Sequence, residues 1–275
     1  YTCLCVLDML VSLVSQCTRR RADPHTSPTR RSSDLGLGQN AQPMPAMMSA
    51  SQSTASGQDR CAWPISTWRN PIASDELYLA QERLGVQGSD VIVEEGFSDS
   101  ALLQRDDLSD YQIVHFATHG LVTAPRPQCP ARPALLTSFG DSGSDGLLSF
   151  KEIFDLRLDA DLVILSACDT AGLATVAASR EAGISSGGNY ALDGLVRAFV
   201  GAGARSVLAS HWPVPDDFDA TKTLISGIFS VGESLPVGKS LSQTQHKMMD
   251  DPLTSHPFYW AAFILVGDGS KVVIE

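Results

Sequence analysis

Residues 161–172, Asp-Leu-Val-Ile-Leu-Ser-Ala-Cys-Asp-Thr-Ala-Gly, constrain this chain more than any other stretch. Leu162 to Leu165 form an unbroken apolar run rich in β-branched residues, with Gly172 soon after. Such a run fits a central strand of a parallel sheet covered on both faces by helices. It stops at Ser166-Ala167-Cys168, which places Cys168 just past the strand's carboxyl end. Ligand crevices of open α/β sheets form at that edge, so the thiol is a candidate nucleophile. Position alone also allows a small buried hydrophobe, the commonest state of a cysteine without a disulfide.

A second stretch has the same build. Residues 111–120 read Tyr-Gln-Ile-Val-His-Phe-Ala-Thr-His-Gly, a short apolar run that ends in His119 and Gly120. His119 lies about 50 positions upstream of Cys168, room for a parallel crossover with one helix. Gly120 has no side chain to shield its backbone, so its N–H is a candidate oxyanion donor together with that of Cys168. His115 lies inside the run and reads as a hydrogen-bonded core histidine.

The order Val114-His-Phe-Ala-Thr-His-Gly, Asp145-Gly-Leu-Leu-Ser-Phe-Lys-Glu-Ile, Ala160-Asp-Leu-Val-Ile-Leu-Ser-Ala-Cys-Asp-Thr resembles the CHAT domain. Leu195-Val-Arg-Ala-Phe-Val-Gly-Ala-Gly-Ala-Arg-Ser-Val-Leu-Ala-Ser-His-Trp-Pro-Val and Pro257-Phe-Tyr-Trp-Ala-Ala-Phe continue the likeness, which covers roughly residues 76–268. The resemblance implies a caspase-like three-layer αβα sandwich with a mostly parallel central sheet. It also implies a His119/Cys168 dyad of a cysteine endopeptidase, related to caspases and separases. CHAT domains are often fused to tetratricopeptide repeats, so an upstream repeat region is an expected partner. A non-catalytic signalling or scaffold module with the same fold is the alternative. No metal or organic cofactor is implied.

Composition narrows the function classes. A net charge of −11 opposes nucleic-acid binding, which needs a basic face. No apolar stretch is long enough to span a membrane. Six cysteines without a Cys-x-x-Cys pair make no disulfide framework in a chain this size, so a reducing, cytoplasmic setting is expected. Residues 1–17 are apolar but interrupted by Asp8, with no positive region ahead of the apolar core, and make a poor signal peptide. The chain begins with Tyr1 and reads as a fragment.

Residues 18–60 are rich in Ser, Pro, Gly and Gln, a composition that buries too little apolar surface to offset chain entropy. Within them, His25-Thr-Ser-Pro-Thr-Arg-Arg-Ser-Ser-Asp-Leu35 resembles a translated sequencing adapter, which marks residues 1–35 as a non-native segment. Residues 36–73 then read as a low-order linker and residues 74–275 as the folded domain. Ser74 with Asp75 and Glu76 opens a helix that Gly85 stops. Ser149-Phe-Lys-Glu152 is a capping-box pattern for a helix that feeds the Cys168 strand. Residues 123–146 read as a long connection beside the site. Residues 173–190, small and Gly/Ser-rich around Arg180, read as a mobile segment and a candidate processing site.

Other chemistries fit less well. The Gly201-Ala-Gly203 start of a dinucleotide fingerprint lacks its third glycine and precedes a strand. A zinc quartet of His115, His119, Cys129 and Cys168 matches no common ligand spacing. His211, His246 and His256 have no constellation around them, and Trp212, Phe258, Tyr259 and Trp260 read as core or pocket-wall aromatics.

Substrate preference is read from residues 206–217. An apolar run, residues 206–210, leads into His211-Trp-Pro-Val-Pro-Asp-Asp217, and a strand parallel to the Cys168 strand delivers this segment to the nucleophile's sheet edge. Asp216 and Asp217 are therefore candidate substrate-binding carboxylates for a basic side chain. The segment resembles separases in its Trp-x-Val-x-Asp pattern, and those enzymes place an acidic pocket there. The competing role for these aspartates is to cap the helix that follows.

Overall fold

A computed structural model describes residues 34–43, 61–85, 90–121, 128, 129, 132–140, 144–166, 195–212, 214, 217–229 and 235–272. Strands β3 (Ile113–Ala117), β7 (Leu162–Ser166) and β8 (Ser206–Ser210) are buried at every position. Unbroken apolar runs take this place because helices cover both faces of a parallel sheet. With β1 (Asp34–Asn40), β2 (Asp90–Glu94) and β9 (Phe263–Gly267) they form a six-stranded sheet in the order β2-β1-β3-β7-β8-β9. All neighbours are parallel except β9, which runs antiparallel to β8 at the edge.

Alternation along the strands sorts side chains into two cores. Val114, Phe116, Val163, Leu165, Val207 and Ala209 pack with helices α3 (Phe150–Asp155) and α4 (Leu195–Ala202). Ile113, Leu162, Ile164 and Leu208 face the other way, against α1 (Asp75–Leu84), α5 (Ala220–Ile228) and α6 (Val237–Asp250). The expected three layers are present. Each fully buried aliphatic side chain in them is worth about 1.5–3 kcal/mol.

The helix signals work as local chemistry requires. Gly85 ends α1 in the left-handed region, φ 59°, and its N–H bonds back to Gln81. Ser149 and Glu152 close a reciprocal capping box, with Ser149 N–H donating to the Glu152 carboxylate at 2.8 Å. Two short helices complete the described α-helices, α2 (Asp99–Leu103), capped by Ser98, and α7 (Pro257–Trp260).

Three features depart from the sequence reading. Order begins upstream of residue 74, because Asp34–Asn40 is an inner strand between β2 and β3. Its glycines, which suggest a linker, are instead packing residues. A Cβ on Gly36 would meet the Leu77 side chain of α1 at 3.2 Å, and one on Gly38 would meet the Ala117 carbonyl at 2.4 Å. Second, the connection 123–146 carries β5 (Ala134–Leu136), which joins β4 (Gly120–Leu121) and β6 (Leu147–Ser149) in a small antiparallel sheet. Third, a disulfide links Cys61 to Cys129, against the expectation of a chain without disulfides. No helix among the described residues is long and apolar enough to cross a membrane.

Behind α1 lies a polar group of residues. His115 and Glu76 meet at 2.7 Å with both side chains buried. Asp34, 2% exposed, leaves one carboxylate oxygen without a hydrogen bond, and burial pushes its pKa up to about 6.

Two outcomes follow from this packing. Gly38→Ala forces a methyl group into a backbone carbonyl, so it should cost about 2 kcal/mol or more, read as a lower urea midpoint. A carboxyl whose pKa is raised on folding opposes folding when ionised. Its penalty is absent below about pH 3, where both states are protonated, and grows to as much as about 3 kcal/mol above pH 6. Asp34→Asn should therefore be more stable than the parent at pH 7.5 and equal to it near pH 3, by urea unfolding at both values.

Candidate active site

Register sets where the strand exits fall. β3 and β7 pair from Ile113 with Leu162 through Ala117 with Ser166. His119 stands two residues past Ala117, and in the sequence Cys168 stands two residues past Ser166. Cys168 itself lies outside the described residues, as do Asp216 and residues 173–190.

His119 is held on three sides. Its backbone carbonyl accepts from Leu136 N–H at 2.9 Å. The preceding Thr118 hydroxyl donates to the Leu136 carbonyl at 2.6 Å. Its ring Nε2 lies 2.6 Å from the Asn70 carbonyl oxygen. A carbonyl only accepts, so Nε2 carries the proton. In the neutral ring Nδ1 is then the lone-pair nitrogen, ready to take or hold a proton. Sequence reasoning missed Asn70, and no side-chain signature could have found it, because the group that acts is a main-chain oxygen.

Gly120 opens β4 opposite Leu135. The Leu136-to-His119 bond makes the neighbouring pair the hydrogen-bonded one. Gly120 and Leu135 are thus a non-hydrogen-bonded pair, and the Gly120 N–H points away from β5. That orientation is compatible with the donor role expected of it.

Asn70 belongs to a segment with its own small core. Trp68, buried at the end of a 3-10 turn (Ile65–Arg69), packs with Leu121 and Leu136, flanked by Trp63, Ile65, Phe139 and Leu147. Its indole N–H donates to the Thr137 carbonyl at 2.8 Å. The Cys61–Cys129 disulfide joins this segment to the connection that leaves β4.

The remaining sequence candidates separate. Cys129 is spent in the disulfide, which takes one donor from the conceivable zinc quartet. No group of three or more His, Cys, Asp or Glu able to hold a metal occurs among the described residues. His115 is the core histidine expected, bonded to Glu76. His246 donates to the Ser242 carbonyl at 2.6 Å, and His256 caps α7 by accepting from Phe258 N–H. Trp212 stacks on Phe258 with centroids 6.1 Å apart, and Phe218 meets Tyr259 edge-on at 5.9 Å. This cluster sits where β8 leaves the sheet and β9 enters it.

Asp217 begins a short turn (Asp217–Asp219) in which Phe218 and Asp219 both take positive φ. Helix α5 starts at Ala220, with Asp219 at the N-cap making no side-chain cap bond. The N-cap position expected near Asp217 therefore belongs to Asp219.

Comparison with known proteins gives the family. Tetratricopeptide repeat protein 28 of Mus musculus is 32% identical over 240 residues, 74% of this chain and 9% of the relative. The Homo sapiens protein of the same name is 31% identical over the same shares. The chain thus spans a small part of the curated relatives it matches. The separase of the Saccharomyces cerevisiae separase–securin complex covers 96% of this chain with 13% of its own, at 16% identity and a TM-score of 0.43. Residues 6–268 match the model of the CHAT domain, nearly the whole chain, and this protein belongs to the CHAT domain family.

Proposed function

We propose that the chain is a cysteine endopeptidase of the caspase and separase type, with Cys168 as nucleophile and His119 as its acid–base partner. The observation that carries this reading is the state of His119. It stands at the exit of β3, its Nε2–H committed to Asn70 and its Nδ1 unprotonated in the neutral ring. A lone-pair nitrogen there is what a neighbouring thiol needs in order to give up its proton. The equal two-residue offsets past Ala117 and Ser166, on strands about 4.8 Å apart, support the pairing of His119 with Cys168.

In the reaction, the Cys168 thiolate adds to the scissile carbonyl carbon and the oxygen takes up the electron pair. The N–H groups of Gly120 and Cys168 stabilise that oxyanion. Collapse breaks the C–N bond as the protonated His119 gives its Nδ1 proton to the leaving amine. Water, deprotonated by His119, then adds to the thioester and releases the acid and the free thiol. Asp216 and Asp217 follow β8, the parallel neighbour of β7, and are proposed to receive a basic side chain before the scissile bond.

A second reading is a silent scaffold module within a larger repeat protein, supported by relatives that are named for tetratricopeptide repeats.

Cys168→Ala and His119→Ala should each lower peptidase kcat by about 1,000-fold or more, and the double variant should be no worse than either. Wild-type activity in Cys168→Ala sinks the assignment, and no reaction of the parent with a thiol-directed peptide probe favours the scaffold. In a panel of peptides that differ only before the scissile bond, Arg and Lys should lead, and Asp216→Asn or Asp217→Asn should narrow that lead. Equal cleavage after Arg, Asp and Leu removes the acidic pocket.

A further inference from the structure

The Asn70 carbonyl sits in an irregular segment, and what holds that segment in place is on another strand. At the carboxyl end of β1, Gln39 and Asn40 grip it at both ends. The buried Asn40 side chain donates through Nδ2 to the Trp68 carbonyl at 3.2 Å, two residues before Asn70. The Gln39 side-chain oxygen accepts from the Ser74 backbone N–H at 3.0 Å and from its hydroxyl at 2.7 Å, four residues after Asn70. Asn70 is therefore the middle of a span pinned by two adjacent amides.

The cost of this arrangement marks it as specific. Gln39 adopts φ 45°, in the left-handed region that a residue with a Cβ rarely enters. The register of β1 against β2 is broken between Gly38 and Asn40, so Gln39 is the residue pushed out of the ladder. Such a bulge re-aims a side chain, and here the side chain lands on Ser74. Ser74 stands at the N-cap with αR backbone angles and makes no side-chain cap bond to its own helix, while its hydroxyl donates to Gln39. That donated bond ties the start of α1 to the end of β1.

We propose that Gln39 and Asn40 are positioning residues for His119, holding the 68–74 segment so that the Asn70 carbonyl takes the Nε2 proton and reserves Nδ1 for proton transfer. The inference rests on the reading of His119 as the acid–base residue. Neither amide reaches the ring. Both act through the main chain between Trp68 and Ser74, and the bulge on β1 is the device that lets one strand end hold two points. Without either grip the carbonyl drifts, and the ring samples the Nδ1–H tautomer, which cannot accept the thiol proton at that nitrogen.

The test reads the ring directly, on the full 275-residue chain. Histidine ring ¹⁵N shifts identify the tautomer of His119 without any substrate. The Gln39 side-chain Nε2 also donates to the Glu94 carboxylate at 3.3 Å. Gln39→Met keeps the side-chain length but removes the acceptor, Gln39→Glu, made together with Glu94→Gln so that this contact is kept, retains the acceptor, and Asn40→Asp removes the donor at constant shape. The expected result is a single Nε2–H tautomer in the parent and in Gln39→Glu, and a mixture in Gln39→Met and Asn40→Asp. Peptidase kcat should fall about tenfold to a hundredfold in the last two at unchanged KM. Parent-like ring shifts in Gln39→Met overturn the proposal, as does equal loss in Gln39→Glu. Collapse of the core methyl spectrum in Gln39→Met and Asn40→Asp alike also overturns it, since the amides would then be general structural residues. Expected ring shifts in a parent that cleaves nothing would leave the positioning intact and refute the peptidase reading instead.

Discussion

Parallel pairing of β3 with β7 is the interaction on which the rest depends. Five successive rungs, from Ile113–Leu162 to Ala117–Ser166, fix how far each strand travels before it leaves the sheet. A slip of one residue would turn every side chain to the other face, putting Val114 and Phe116 where His115 now meets Glu76. The two cores forbid that slip. Hydrophobic alternation, chosen by burial, therefore sets the position of His119 to within a residue, with no contribution from the site itself.

The same strand carries two histidines with opposite fates. His115 is four residues before His119, inside the ladder, 2% exposed and paired with Glu76 beneath α1. A buried imidazole needs such a partner, because an unsatisfied nitrogen in the core is costly. Even so, its Nδ1 stays without a bond. His119 has left the ladder and reaches a backbone carbonyl instead of a carboxylate. A neutral carbonyl fixes which ring nitrogen carries the hydrogen and places no charge beside the ring.

Much of this was legible in the sequence, for physical reasons that also explain the gaps. β3, β7 and β8 announce themselves because strands buried on both faces are apolar throughout, and the capping box at Ser149 is a local signal. β1 hides because two of its seven residues are glycine, the signature of a linker. Here the missing side chains admit Leu77 on one rung and the β3 backbone on another. Strands of two or three residues, such as β4 and β5, are too short to show periodicity. The Cys61–Cys129 pairing spans 68 positions and follows from no spacing rule. Asn70 acts through its main chain, and main-chain atoms are the same in every residue.

Around His119 the protein thus relies on a third, smaller core. Trp68, Leu121 and Leu136 are its fully enclosed apolar residues, far fewer than in either core of the main sheet. A cluster of that size cannot by itself offset the entropy of ordering the chain around it. Its surroundings contribute the difference. The Cys61–Cys129 bond closes a long loop, which shrinks the unfolded ensemble of this region in particular. The Trp68 indole N–H is satisfied by the backbone of the β5–β6 connection, and Ser138 bonds both Ala41 N–H and the Glu94 carbonyl. Cross-links of covalent and polar kinds replace the apolar area that the region lacks. The consequence is a division of labour, in which the large cores place His119 through strand register and the small one presents the carbonyl that sets its proton.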